Sequence, residues 1–218
     1  MEPFRRAQEL VYSETGDTSA VERLLEDAQR AIDSSGDDAL RDYWTARVHL
    51  LLGMHYNRRE ESDLAEEELQ RGFEAIDASI RRAGEYSEGL RVKSDLHSQM
   101  MFARGLVYMA RNGGEARDLA FRALELDPDN IHARITVAGF YLNAPGFAGG
   151  DPAQGREMLE SALARHPENE SDRFLILGLL AQTAMDAGDE SAARGYLRRA
   201  TAIYPDSKWV DRLSDELG

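Results

Sequence analysis

The sequence predicts an all-α chain: an α-solenoid of about five helix-turn-helix repeats, closed at its C-terminus by a capping helix. Three observations predict it. The stretch from Phe174 to Ser207, FLILGLLAQTAMDAGDESAARGYLRRATAIYPDS, reads as an apolar helix, a Gly188-Asp189 turn, an amphipathic helix and a proline. Pro205 ends the second helix because its nitrogen has no hydrogen to donate and its ring does not fit a helix interior. Small residues at Ala181, Ala193 and Ala200 stand where two antiparallel helices can cross closely. Prolines then return at near-constant spacing, with Pro128, Pro167 and Pro205 lying 39 and 38 residues apart.

In chain order, Phe4 to Thr15 is helical, with Phe4, Ala7, Leu10 and Val11 forming an apolar stripe. Gly16-Asp17 turns the chain, and Thr18 or Ser19 caps the next helix by accepting a backbone hydrogen bond. Val21, Leu24, Leu25, Ala28 and Ile32 follow at three- and four-residue intervals. Ser34-Ser35-Gly36 is a loop. A longer helix spans about Ala39 to Asn57, and the next carries Ala65, Leu69 and Gly72 and runs on to Arg82. Residues 83–90, with Gly84 and Gly89, read either as a loop or as the start of a long following helix. Ala116, Ala123 and Pro128 mark a third pair. Ala138, Tyr141, Ala162 and Pro167 mark a fourth, with NAPGFAGGD inserted between its helices. Lys208–Leu217 is a short amphipathic helix with Trp209, Val210 and Leu213 on one side, suited to covering the end of a solenoid.

The motif Leu52-Gly53-x-x-Tyr56, the recurring alanines and the Gly-Asp turns resemble the tetratricopeptide repeat family, whose unit is a helix-turn-helix of about 34 residues. The resemblance implies five units, at about 2–33, 46–79, 97–128, 131–167 and 174–207, with the capping helix at 208–217, in a single domain over 1–218. The third unit departs from the pattern, because Arg104 falls where a small or apolar residue is expected. Its first helix stays open between two registers.

In this family the first helices line a concave groove that holds partners. Carried onto matching positions, that implies Leu50, Met54 and Asn57, then Ile135, Gly139 and Leu142, then Gly178, Gln182 and Met185. The third unit supplies Met101, Gly105 and Tyr108, or Phe102, Leu106 and Met109 in the other register. Most are apolar, several are glycines that leave room, and methionines and aromatics suit an adaptable groove. The lysines, arginine and asparagines with which the family clamps a chaperone-tail carboxylate are missing from these positions, so that ligand is not expected. Insertions in repeat proteins often lie on a binding face, which adds Pro145 and Phe147 as a loop contact.

Composition narrows the function classes. With 26 basic and 40 acidic residues the net charge is −14, which repels nucleic acid and anionic membranes. No apolar run reaches the roughly 20 residues that cross a bilayer. The start of the chain lacks the apolar core of a signal peptide, so the expected location is cytoplasmic, or exported if a signal peptide has been removed. The absence of cysteine excludes disulfides, zinc-thiolate sites and cysteine nucleophiles.

His49 and His55 point to different faces of one helix, His97, His132 and His166 lie near helix ends, and no HExxH spacing exists. Glu66-Glu67-Glu68 and Asp127-Pro128-Asp129 read as solvated surface. The glycines at 146–150 follow a helix rather than a strand and no GK[ST] follows, so they form no phosphate loop. The expectation is a non-catalytic module without metal or cofactor that binds a protein or peptide in an apolar groove. The alternative is an apolar small molecule, as in the tetratricopeptide components associated with TRAP transporters. Self-association through the Trp209 end or the inner face stays open.

Overall fold

The computed structural model describes residues 2–34, 36–165 and 167–218; Ser35 of the expected loop and the candidate His166 lie outside the described residues. Among the described residues the chain is all-α. Its helices are α1 (Glu2–Ser13), α2 (Thr18–Asp33), α3 (Asp38–Arg58), α4 (Ser62–Ala83), α5 (Ser87–Leu126), α6 (Ile131–Asn143), α7 (Pro152–Ala164), α8 (Glu170–Asp186), α9 (Glu190–Thr201) and α10 (Lys208–Glu216). They pack into two compact units. One comprises residues 16–133 with α1 up to Val11, and the other comprises residues 134–218 with Tyr12–Thr15.

In the first unit, Asp17 rather than Thr18 or Ser19 caps α2, accepting from the Ala20 amide at 2.8 Å. An aspartate at this place offers a charged acceptor to the positive end of the helix. Helices α3 and α4 form a hairpin whose crossing point is Gly53. A Cβ on Gly53 would stand 2.5 Å from the Leu69 side chain, so only glycine admits so close an approach. The core joins Tyr43, Ala46 and Leu50 of α3 to Leu69 and Ile76 of α4 and to Val92, Leu96 and Met100 of α5. Each large side chain buried there stabilises the fold by about 1.5–3 kcal/mol.

The third hairpin corrects the sequence reading. It starts at Ser87, not near His97, because the break at Gly84 is short and residues 87–90 are already helical. Inside α5, Gly105 takes φ 70° and ψ −158°, a region that essentially only glycine occupies. The chain reverses there: Ser94 Oγ donates to the Ala116 carbonyl and Ser87 Oγ to the Ala123 carbonyl, both at 2.7 Å. Residues 87–104 and 106–126 are thus antiparallel limbs joined through one residue. Neither expected register survives, since both assumed one helix through Gly105. Replacing Gly105 with alanine should lower stability by about 1–3 kcal/mol. Since nothing lies within 4 Å of the site where the new Cβ would stand, backbone strain alone sets that loss. An unchanged melting curve would remove the strain argument.

In the second unit, Asp151 caps α7, accepting from the Ala153 and Gln154 amides at 3.1 Å, with Pro152 in the first turn where no amide hydrogen is missed. Ala138, Ala162, Ala181, Ala193 and Ala200 are all fully buried, as close helix crossing requires. Helix α8 begins at Glu170 under an Asn169 cap, so it takes in part of the four-residue surplus after Pro167. Phe174 sits at the centre of this core, with its ring 4.7 Å from that of Tyr204 and 5.7 Å from that of Trp209. Ser207 caps α10, and Trp209 lies over Gly178, where any side chain would run into the indole.

Candidate functional site

The expected groove positions divide by what already touches them. Leu50 and Ile135 are buried, and Leu50 belongs to the first unit's core. Met54 is half-buried against that same core. Asn57 donates to the carbonyl of Gln99 at 2.9 Å and to its side-chain oxygen at 3.1 Å, tying α3 to the first limb of α5. Met101 is half-buried on that limb. Tyr108 lies on the other limb, where its hydroxyl meets His97 Nδ1 at 2.9 Å. In the second unit, Leu142 packs over Gly155, Met185 lies against the α8–α9 core, and Gly139 faces open space. Trp209 covers Gly178, so that glycine admits the capping helix instead of leaving room for a ligand.

Four large apolar side chains close together in sequence are exposed around the Gly105 turn. Phe102 is 74% exposed, Leu106 75%, Val107 65% and Met109 43%. Three of these four belong to the second register considered for this unit. They sit on either side of the backbone break, Phe102 near the end of one limb and the other three in the first turn of the next. Val107 and the adjacent Arg111 escaped the sequence reading. A signal was present: residues 99–114 hold Arg104 and Arg111 and no acidic residue, in a chain with 40 of them. In the second unit Phe147 is 96% exposed on a short 3-10 turn (Gly146–Ala148), next to the exposed Pro145.

The titratable groups of the first unit serve its architecture. Arg91 is buried and donates to Glu88 and Asp95, at 2.7 Å each. Glu88 also accepts from the Tyr43 hydroxyl at 2.8 Å and the Asn130 amide at 2.8 Å, and meets His132 Nδ1 at 3.2 Å. Burial pushes the Glu88 carboxyl up, but the Arg91 charge and the His132 hydrogen bond outweigh it and hold it far below the usual carboxylate range. Burial lowers the pKa of His55 and of His97, which favours their neutral forms. His49 pairs with Glu68 at 2.7 Å and His55 with Thr18 at 3.1 Å. No cluster of three metal-ligating side chains occurs among the described residues. No described helix is long and apolar enough to cross a membrane.

Comparison with known proteins agrees with this architecture. Residues 147–213 match the tetratricopeptide repeat family model. No curated protein matches the sequence. Among solved structures, a thermophilic TPR protein of Thermus thermophilus superposes with a TM-score of 0.63 at 21% identity, covering 99% of this chain and 97% of that one. The HusA haemophore from Porphyromonas gingivalis superposes with a TM-score of 0.59 at 21% identity, covering 84% and 93%. Residues 147–213 thus match the tetratricopeptide repeat family model, and the chain as a whole has the all-α fold seen in tetratricopeptide repeat proteins.

Proposed function

We propose that the chain is a non-catalytic scaffold that binds a segment of another protein. Tetratricopeptide hairpins support an interaction role in general. The observation that carries the reading is the exposed cluster of Phe102, Leu106, Val107 and Met109 at the Gly105 turn. Covering it releases about 25 cal/mol per Å² of apolar surface. A turn held by one left-handed glycine presents these side chains without a loop to be ordered on binding. Met54, Asn57 and Met101, half-buried on the first helices of two successive hairpins, form the proposed flank of this site. Leu142, Met185, Pro145 and Phe147 are proposed as contacts of the second unit.

A protein segment is preferred to an apolar small molecule on a specific ground. The apolar surface stands outward on a turn, whereas among the residues expected to line a groove Leu50 and Ile135 are buried and Met54, Met101, Leu142 and Met185 are half-buried. The haemophore likeness concerns fold alone, and the described histidines His49, His55, His97 and His132 are each engaged by a neighbouring side chain.

The test is capture of the native partner by the wild-type chain, by a Leu106→Asp/Met109→Asp variant and by Met54→Glu. The double variant should lose capture by more than about tenfold, since two apolar side chains worth about 1.5–3 kcal/mol each are replaced by charge. Its helix content and melting should stay unchanged because both positions are exposed. Capture that survives the double variant overturns the assignment. Capture lost only in Met54→Glu moves the site to the first-helix face.

A further inference from the structure

We propose that the segment docking at the Gly105 turn is an amphipathic peptide whose apolar face ends in acidic residues, and that those residues lie against Arg111. This rests on the interaction reading above and goes on to assign the chemistry of the partner. The charge around the turn is unlike that of the rest of the chain. In a protein of net charge −14, residues 99–114 carry two arginines and no acid; the next acid, Glu115, stands one turn beyond Arg111 and lies 3.8 Å from His97. The two arginines are not equivalent. Arg104 is already paired with Glu66 of α4 at 3.2 Å. Arg111 is exposed and makes no ion pair among the described residues. It stands four residues after Val107, so both occupy one face of the limb, one turn apart.

The surroundings give the partner a direction. Arg104 meets the first turns of α4, where Asp63, Glu66 and Glu67 concentrate negative charge. An acidic end is repelled there and attracted at Arg111, while the apolar face covers Phe102, Leu106, Val107 and Met109. A second copy of the chain is a poorer occupant, because four side chains fall short of the roughly 800 Å² per partner that a stable interface buries. An anionic membrane attracts Arg111 but repels the chain as a whole.

The test uses the full chain and two synthetic peptides that share one leucine-rich helical face. One peptide ends in glutamates and the other in lysines, and binding is read by fluorescence anisotropy. The glutamate peptide should bind roughly three- to tenfold more tightly at low salt, the scale of one or two exposed ion pairs. The gap should close at high salt. Arg111→Glu should invert the preference, and Leu106→Asp should remove binding of both peptides. Equal binding of the two, still removed by Leu106→Asp, overturns the charge assignment and leaves the apolar docking site standing. Binding of neither peptide also overturns the charge assignment. Peptide binding that is indifferent to Leu106→Asp overturns both readings. Sedimentation with phosphatidylserine vesicles and the mass in solution complete the test. Vesicle binding or dimerisation that Leu106→Asp abolishes gives the surface to a membrane or to a second copy, and overturns the proposal.

Discussion

Arg91→Leu should lower the stability of the first unit by about 3–5 kcal/mol, the usual consequence of removing one partner from a buried ion pair. The side chain is shielded from water and answers both Glu88 and Asp95. Without it, two carboxylates stay in a poorly solvated place, and Glu88 keeps Tyr43, Asn130 and His132 as partners among the described residues. Leucine supplies volume but no charge. Arg91→Lys should recover part of the loss, since it restores the charge but not the two-pronged donor geometry. Urea midpoints at constant m-value measure both. A leucine variant as stable as the wild type would show that the network holds nothing together.

The same network makes the difference depend on pH, with a definite sign. In the wild type the folded-state pKa of Glu88 lies below its unfolded value of about 4.3. Its contribution is therefore fully present above that unfolded value and is lost as pH falls toward the folded one. In Arg91→Leu the strongest opposing charge is gone, so burial prevails and the carboxyl takes up a proton more readily. Protonation relieves the uncompensated charge. The gap between wild type and Arg91→Leu should narrow as pH falls from 7 toward 4. A gap of constant size would mean that the lost stability is packing rather than charge.

Phe174→Ala should remove about 3–5 kcal/mol from the second unit, the range for a fully buried aromatic in a core that cannot close over the void. Phe174 is inaccessible to solvent and lies between Tyr204 and Trp209. Its loss should loosen α10 first, because Trp209 packs on its ring and α10 is the last element of the chain. Proteolysis between Ala202 and Lys208 should accelerate in Phe174→Ala. It should be little changed in Phe174→Leu, which keeps most of the volume. Equal cleavage of wild type and alanine variant would show that the capping helix does not lean on this residue.

Much of the fold was legible in the chain because packing of helical hairpins writes itself into small residues at fixed spacing. Ala181, Ala193 and Ala200 are buried where helices were expected to cross, and Gly53 is a glycine because Leu69 leaves room for nothing larger. Such positions are determined by nearest neighbours along a hairpin, so local spacing is enough to find them. The third hairpin was misjudged because Gly105 reads as one more small residue on a helical face. Its left-handed backbone depends on two limbs that meet from residues as far apart as Ser87 and Ala123.

The sequence by itself determined the all-α class, the alanine contacts and the closing amphipathic helix, and every hairpin but the third, since each follows from periodicity over a few turns. The tertiary structure alone decided which apolar side chains stay in contact with water. Leu50 and Leu106 are both leucines at candidate groove positions, yet one is packed against α4 and α5 and the other stands out beside a reversed backbone. Burial depends on which distant segment arrives to cover a residue, and hydrophobicity along the chain carries no record of that arrival.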